Sequence, residues 1–226
     1  MKVAIHQPNY LPYLGFFDKM NKSDIFVIYD DAQFNKGDFQ HRNRIRIFNG
    51  WKWLTVPVEK KMIPINEIKI RNDLLTKGNK WNDAHLSLIE ENYSAAPEFI
   101  NYGTAIKKIF SSDFEYLFDL NISFIEFLIE SFHINTKIVF SSELGFKTRS
   151  TEKLVDIVDC LNGDIYISGP SGKNYLDESL FNAKSISVEY QDFKHPAYTQ
   201  CYGGFEPNMS SIDALFNIGD KTFETR

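Results

Sequence analysis

The sequence predicts an α/β fold: a Rossmann-like parallel-sheet core with helices on both faces, an antiparallel hairpin insertion and a helical middle segment. Three observations predict it. A strand, a turn, a helix and a second strand follow one another at the start of the chain. A sharp hairpin signal comes next, and strand-sized apolar runs return after a helix-rich centre.

Each element has a local reason. Lys2–Ile5 is an apolar run of strand length ended by Gln7-Pro8, and Asp24–Tyr29 repeats it ahead of Asp30-Asp31. The helix Tyr13–Asn21 lies between them. This is a βαβ unit, whose ligand crevice opens at the carboxyl ends of its strands, where His6 and Asp30 fall. Next, Arg44–Phe48 alternates, Asn49-Gly50 is the turn dipeptide, and Trp51–Val58 returns. Ile68–Ile70 has the length of a short strand. Lys80–Asn92, Pro97–Phe110 and Asp113–His133 read as helices, the second opening on its proline. Lys137–Phe140 is again a strand, and Ser150 caps a helix that stops at Asn162-Gly163. Asp164–Ile167 and Ser185–Tyr190 complete the strands, and a short helix near Asp213–Phe216 closes the chain.

Composition bounds the function classes. With 226 residues, 43% hydrophobic and 24% charged, a single domain over 1–226 buries enough surface to need no disulfide or metal staple. Cys160 and Cys201 then read as reduced thiols of a cytoplasmic protein. The opening Met-Lys-Val-Ala-Ile is broken at once by His6, Gln7, Pro8 and Asn9, which argues against an export segment. Phe114–Phe132 is interrupted by Glu115, Asp119, Glu126 and Glu130, which makes it a buried helix rather than a membrane span. The 25 basic and 30 acidic residues leave a net charge of −5, so neither nucleic acid nor a membrane is an expected partner. A small-molecule substrate is.

Several segments could carry that chemistry. The turn His6-Gln7-Pro8-Asn9-Tyr10-Leu11-Pro12 is either a rigid structural bend or the lining of an anion crevice. Gly169-Pro170-Ser171-Gly172-Lys173 follows a strand and would offer backbone N–H groups, Ser171 and Lys173 to an anion. It is not a Walker A loop, because two residues rather than four separate Gly169 from Gly172-Lys173, and Asn174 follows. Asp30, at a strand end, is the carboxylate favoured for the site, through magnesium or a sugar hydroxyl, while Asp31 reads as a cap. Alternation puts Arg44 and Arg46 on one solvated face, with Arg42 off that stripe and nearer the crevice. Asp192 could orient His195 as an acid–base pair. Cys201, His85 and His133 read as structural, and the dispersed histidines do not support zinc.

As a set, several motifs resemble the WbqC-like family of bacterial surface-polysaccharide clusters. They are His6-Gln7-Pro8 with Tyr10-Leu11-Pro12 and Gly15; Asp30 with Gln33-Phe34; Arg42-Asn43-Arg44; Ser168–Lys173; and Tyr190–Pro196. Leu54-Thr55-Val56-Pro57 and the closing Phe205–Asn217 segment extend the likeness nearly end to end. The resemblance implies a transferase or ligase that modifies a nucleotide-linked amino sugar, by aminoacyl or acyl transfer, in O-antigen or lipopolysaccharide biosynthesis. A binding or assembly module of the same pathway is the alternative. A more distant likeness, to pantothenate synthetase and its nucleotidyltransferase relatives, rests on the first turn and Gly172-Lys173-Asn174-Tyr175-Leu176. It implies ATP with magnesium and an adenylate, with His6 and Lys173 flanking the α-phosphate. This chain departs by having one histidine in the turn, with Gly15-Phe16 where a second would stand. The expected catalytic groups are thus His6, Asp192 and His195. The expected substrate- or phosphate-binding groups are Gln7, Asn9, Tyr10, Asp30, Arg42, Ser171 and Lys173.

Overall fold

A computed structural model describes residues 1–76 and 78–223. Along the chain run β1 (Lys2–His6), α1 (Leu14–Asn21), β2 (Ile25–Ile28), β3 (Arg42–Ile47), β4 (Gly50–Thr55), β5 (Leu75–Thr76) and β6 (Asn79–Lys80). The helical middle is α2 (Trp81–Tyr93), α3 (Phe99–Phe110) and α4 (Leu117–Ser131). Then follow β7 (Lys137–Phe140), α5 (Ser141–Leu144), α6 (Ser150–Cys160), β8 (Ile165–Ser168), α7 (Glu178–Asn182), β9 (Ser187–Tyr190) and α8 (Ser211–Ile218). Two compact units divide them. Unit 1 comprises Met1–Gln7, Gly15–Ala32 and Ile134–Lys194; unit 2 comprises Pro8–Leu14, Gln33–His133 and His195–Arg226.

Unit 1 is a five-stranded, all-parallel sheet ordered β7-β2-β1-β8-β9. Its strands taken in chain order are therefore third, second, first, fourth, fifth, the order of a Rossmann sheet. Period-two alternation fixes the faces. Val3, Ile5, Ile25 and Val27 turn to one side and bury against Leu154, Ile157 and Val158 of α6 and Phe181 of α7. The opposite side meets α1, where the Phe16 ring lies 4.9 Å from His6 and 5.1 Å from Phe26. All four residues of β2 are buried, as expected of a strand covered on both faces. The helix expected to stop at Asn162-Gly163 does so: Asn162 takes φ 55° and Gly163 N–H donates to Val158 O at 2.9 Å. Its start differs. Ser150 is the first helical residue, at φ 49°, and Arg149 holds the cap position without a capping side-chain bond.

Unit 2 holds the hairpin and four of the helices. Ile47 pairs with Gly50, so the two-residue turn is Phe48-Asn49, one position earlier than the dipeptide rule placed it, and Gly50 absorbs φ 103°. This register sets Arg42, Arg44 and Arg46 on one face opposite Thr55, Trp53 and Trp51. Arg42 is thus on the arginine stripe, not off it. Nor is Arg46 solvated: it is buried and donates to the carbonyls of Ile47, Gly50 and Gly203. Aromatic contacts join the helices, Tyr93 and Phe99 meeting Phe216, and Phe110 meeting Phe124. The expected strand Ile68–Ile70 is reduced to single bridges, Lys69 with Tyr116 and Val58 with Ile70. Among the described residues no helix is long and apolar enough to cross a membrane.

Candidate functional site

A parallel sheet in this order has a topological switch point between β1 and β8, and the crevice outside their carboxyl ends is where such sheets bind ligands. His6 ends β1 there, and the Gly169–Asn174 loop leaves β8 beside it. His6 is half-buried. Its Nδ1 lies 2.9 Å from the Gln7 carbonyl, and because a carbonyl only accepts, Nδ1 carries the proton and Nε2 the lone pair. Burial, then the charge of Lys19, push its pKa down to about 3. His6 is therefore a neutral hydrogen-bond acceptor at physiological pH.

Lys19 is the residue that sequence reasoning missed. Alternate carbonyls of a strand point to opposite edges. Those of Lys2 and His6 accept from Asp24 and Tyr29 on the β2 side, and that of Met1 accepts from Asp164 and Ile165 on the β8 side. Ile5 O therefore points toward β8, and it accepts from Lys19 Nζ at 2.9 Å. The ammonium lies at the switch point, only 3% exposed, and burial lowers its pKa to about 7. A signal existed: Lys19 stands three residues after Phe16, on the stripe of α1 that helical periodicity sends inward.

The β8 loop differs in detail from the expected anion cradle. Gly172 N–H is used inside the loop, on Gly169 O at 3.0 Å. A side chain at Gly172 would strike Ser168 Oγ, which explains the glycine. Ser171 and Lys173 are exposed, with Lys173 Nζ 5.2 Å above the Tyr190 ring. Gln191, also unassigned from sequence, is structural: its amide N–H group reaches Gly15 O at 2.8 Å and Asp18 Oδ2 at 2.7 Å, tying the end of β9 to α1. Asp192 is exposed.

The aspartate assignments are corrected. Asp30 is 2% exposed and accepts from Ser141 Oγ, Ser142 N–H and Ser142 Oγ at 2.9, 3.0 and 2.6 Å, so it caps α5. Asp31, expected to cap, accepts from the Ser141 hydroxyl at the start of α5 at 2.6 Å and pairs with Lys153 at 2.5 Å. With its carboxylate held by Ser141 and Ser142, Asp30 does not fit the expected magnesium ligand.

Unit 2 contains Asn9, Tyr10, Arg42 and His195. Asn9 is 7% exposed. Tyr10 is fully buried, and its hydroxyl meets His85 Nδ1 at 2.9 Å. Tyr10 is thus part of the core, not of a crevice. The bend around it is held by its carbonyls: Asn121 donates to Pro8 O, Asn43 to Tyr10 O and Leu11 O, and Ser211 Oγ to Pro12 O. Arg42 stacks 4.5 Å from the Trp53 ring centre and donates to Gly37 O at 2.6 Å. His195 Nδ1 donates to Pro196 O at 2.9 Å, and burial lowers its pKa. The carboxylate whose charge reaches it is Asp213, in the same unit, whereas Asp192 belongs to unit 1. Asp213 is fully buried and accepts from Tyr93, Tyr198 and Gln200. A cleft of about 330 Å³ in this unit is lined by residues that include Asn72, Trp81 and Asp113, none of them expected in the site.

A model of the WbqC-like protein family matches residues 7–225, through both units and starting one residue after His6. The chain belongs to this family. A relative within the reach of sequence comparison is the uncharacterized protein Rv1507c of Mycobacterium tuberculosis (strain ATCC 25618 / H37Rv). It is 36% identical over 220 residues, covering 96% of this chain and 94% of that one. No solved structure matches. The fold of this WbqC-like chain thus rests on its own sheet order.

Proposed function

We propose that the crevice at the carboxyl ends of β1 and β8 binds a nucleotide-linked amino sugar, and that the protein is a transferase that passes an acyl or aminoacyl group from an activated carrier to the sugar amine, the carrier leaving and the amine's proton passing to the departing carrier or to solvent. The observation that carries this reading is the switch point of unit 1, which brings His6-Gln7 and the Ser171–Lys173 loop to adjacent strand ends. Membership of the WbqC-like family supports a place in bacterial surface-polysaccharide synthesis. His6 Nε2 accepts a hydrogen bond from an N–H or O–H of the acceptor sugar and so orients it. Lys173 and Ser171 meet the phosphates from the β8 side. With a pKa near 3, His6 positions the nucleophile rather than removing its proton. No step is routed through ATP. ATP stays within the proposal only as a ligand to be screened.

The test is thermal stabilisation of the purified protein by nucleotides, nucleotide-sugars and aminoacyl donors. A nucleotide-sugar is expected to raise Tm, and His6→Ala to abolish the rise without changing the Tm of the free protein by more than a few degrees. No shift across the panel contradicts the reading. Binding without turnover of any acyl donor makes the protein a binding module of the pathway.

A further inference from the structure

Lys19 is a buried amine with no carboxylate of the described residues paired to it. Its nitrogen makes one hydrogen bond, to Ile5 O, and no carboxylate oxygen of the described residues lies within 4.0 Å. The neighbouring carboxylate, Asp18, accepts from Lys22 Nζ at 3.0 Å and from Gln191. A buried ammonium in this position costs free energy in the ligand-free protein, and structural lysines avoid that cost by pairing or by reaching solvent. Lys19 does neither. Its one acceptor is the carbonyl that points to the β8 side at the sheet's switch point, and the titratable group facing it from β1 is His6. Two of its three N–H groups remain for a ligand, and Lys173 supplies a second cation from the loop after β8.

We infer that Lys19 is the anion-binding residue of the switch-point crevice and takes a phosphoryl group of the ligand, its ammonium donating to the phosphoryl oxygens beside His6. This rests on the ligand site proposed above and assigns it the chemical group it holds. Lysine is suited to this task because it acts as a compact point charge with rotatable donors. Burial has drawn the amine of the free protein down to about 7, so at pH 8 most of it is neutral. An arriving phosphoryl charge favours the ammonium, and binding therefore takes up a proton.

Calorimetric titration with inorganic pyrophosphate at pH 8, in two buffers of different ionisation enthalpy, reads this directly. Pyrophosphate at pH 8 carries a proton of its own that binding can release, so the count is read as a difference: the wild-type protein is expected to take up about one proton more per pyrophosphate bound than Lys19→Met. Lys19→Met, which keeps the stem and removes the charge, is expected to weaken binding about 10- to 100-fold, from loss of one charge-assisted bond. Circular dichroism of that variant shows whether it folds; if it does not, Lys19→Gln takes its place in the comparison. The same proton count in the wild-type protein and the folded variant, or equal affinity in the two, overturns the inference. If His6→Ala also loses binding in that case, the ligand site stands without Lys19. No pyrophosphate binding by the wild-type protein overturns the phosphoryl assignment, while a nucleotide-sugar that still raises Tm keeps the site.

Discussion

The two units use similar residues in opposite ways. In unit 2, the polar side chains around the first bend are consumed by backbone carbonyls: Asn121 on Pro8 and Gln40, Asn43 on Tyr10 and Leu11, Ser211 on Pro12. In unit 1, His6 spends one ring nitrogen on its neighbour's carbonyl, and Lys19 makes a single bond at the end of a strand. Polar residues that complete the backbone's hydrogen bonding belong to folding, whereas those left with capacity at a strand end belong to a ligand.

That contrast can be broken most forcefully through Asn121. Asn121→Ala removes the side-chain donor shared by the buried carbonyls of Pro8 and Gln40, and is expected to cost about 2–4 kcal/mol in urea unfolding. A cost under about 0.5 kcal/mol would place Asn121 with the ligand-binding groups instead. Acid is the next lever. His6, His85 and His41 have folded pKa values pushed by burial to about 3, 3 and 4, below the ordinary 6.5. Between those values and 6.5 the unfolded chain binds more protons. The stability tied to neutral imidazoles is thus fully present above 6.5 and is lost as pH falls toward 3. The urea midpoint is expected to drop steadily over that range, and a flat profile would contradict the burial of these rings. A smaller effect sharpens the comparison: Tyr10→Phe removes the hydroxyl on His85 and is expected to cost about 1–2 kcal/mol while leaving nucleotide-sugar stabilisation intact. Smallest of all, Ser171→Ala is expected to change stability by less than about 0.5 kcal/mol, because its side chain is exposed.

The sheet was legible because its strands are short apolar runs separated by helical spacing, and β1, α1 and β2 lie where that pattern puts them. The switch point was not, since strand order is a tertiary choice that no local pattern carries. The hairpin was found, yet its turn lies one residue earlier than expected, and Arg42 was misjudged because β3 begins two residues before the expected strand, which puts Arg42 on the face of Arg44 and Arg46. The contacts of Asp30 and Asp31 were hidden for a different reason: their partners Ser141, Ser142 and Lys153 are distant in sequence. Tyr10 looked like a site residue because it sits among prolines and amides. Its burial depends on Phe124 and His85, which only the folded unit 2 brings to it.

The central claim is that ligand binds at the β1/β8 strand ends. An NMR titration with UDP-glucosamine, whose sugar amine is free, tests it most directly, following the imidazole of His6, the backbone amides of the non-proline residues of 169–174 and those of the hairpin residues 42–47. The expected result is that His6 and the 169–174 amides move together with one dissociation constant while the hairpin stays still. Perturbations confined to the hairpin, with His6 unmoved at saturation, would contradict it.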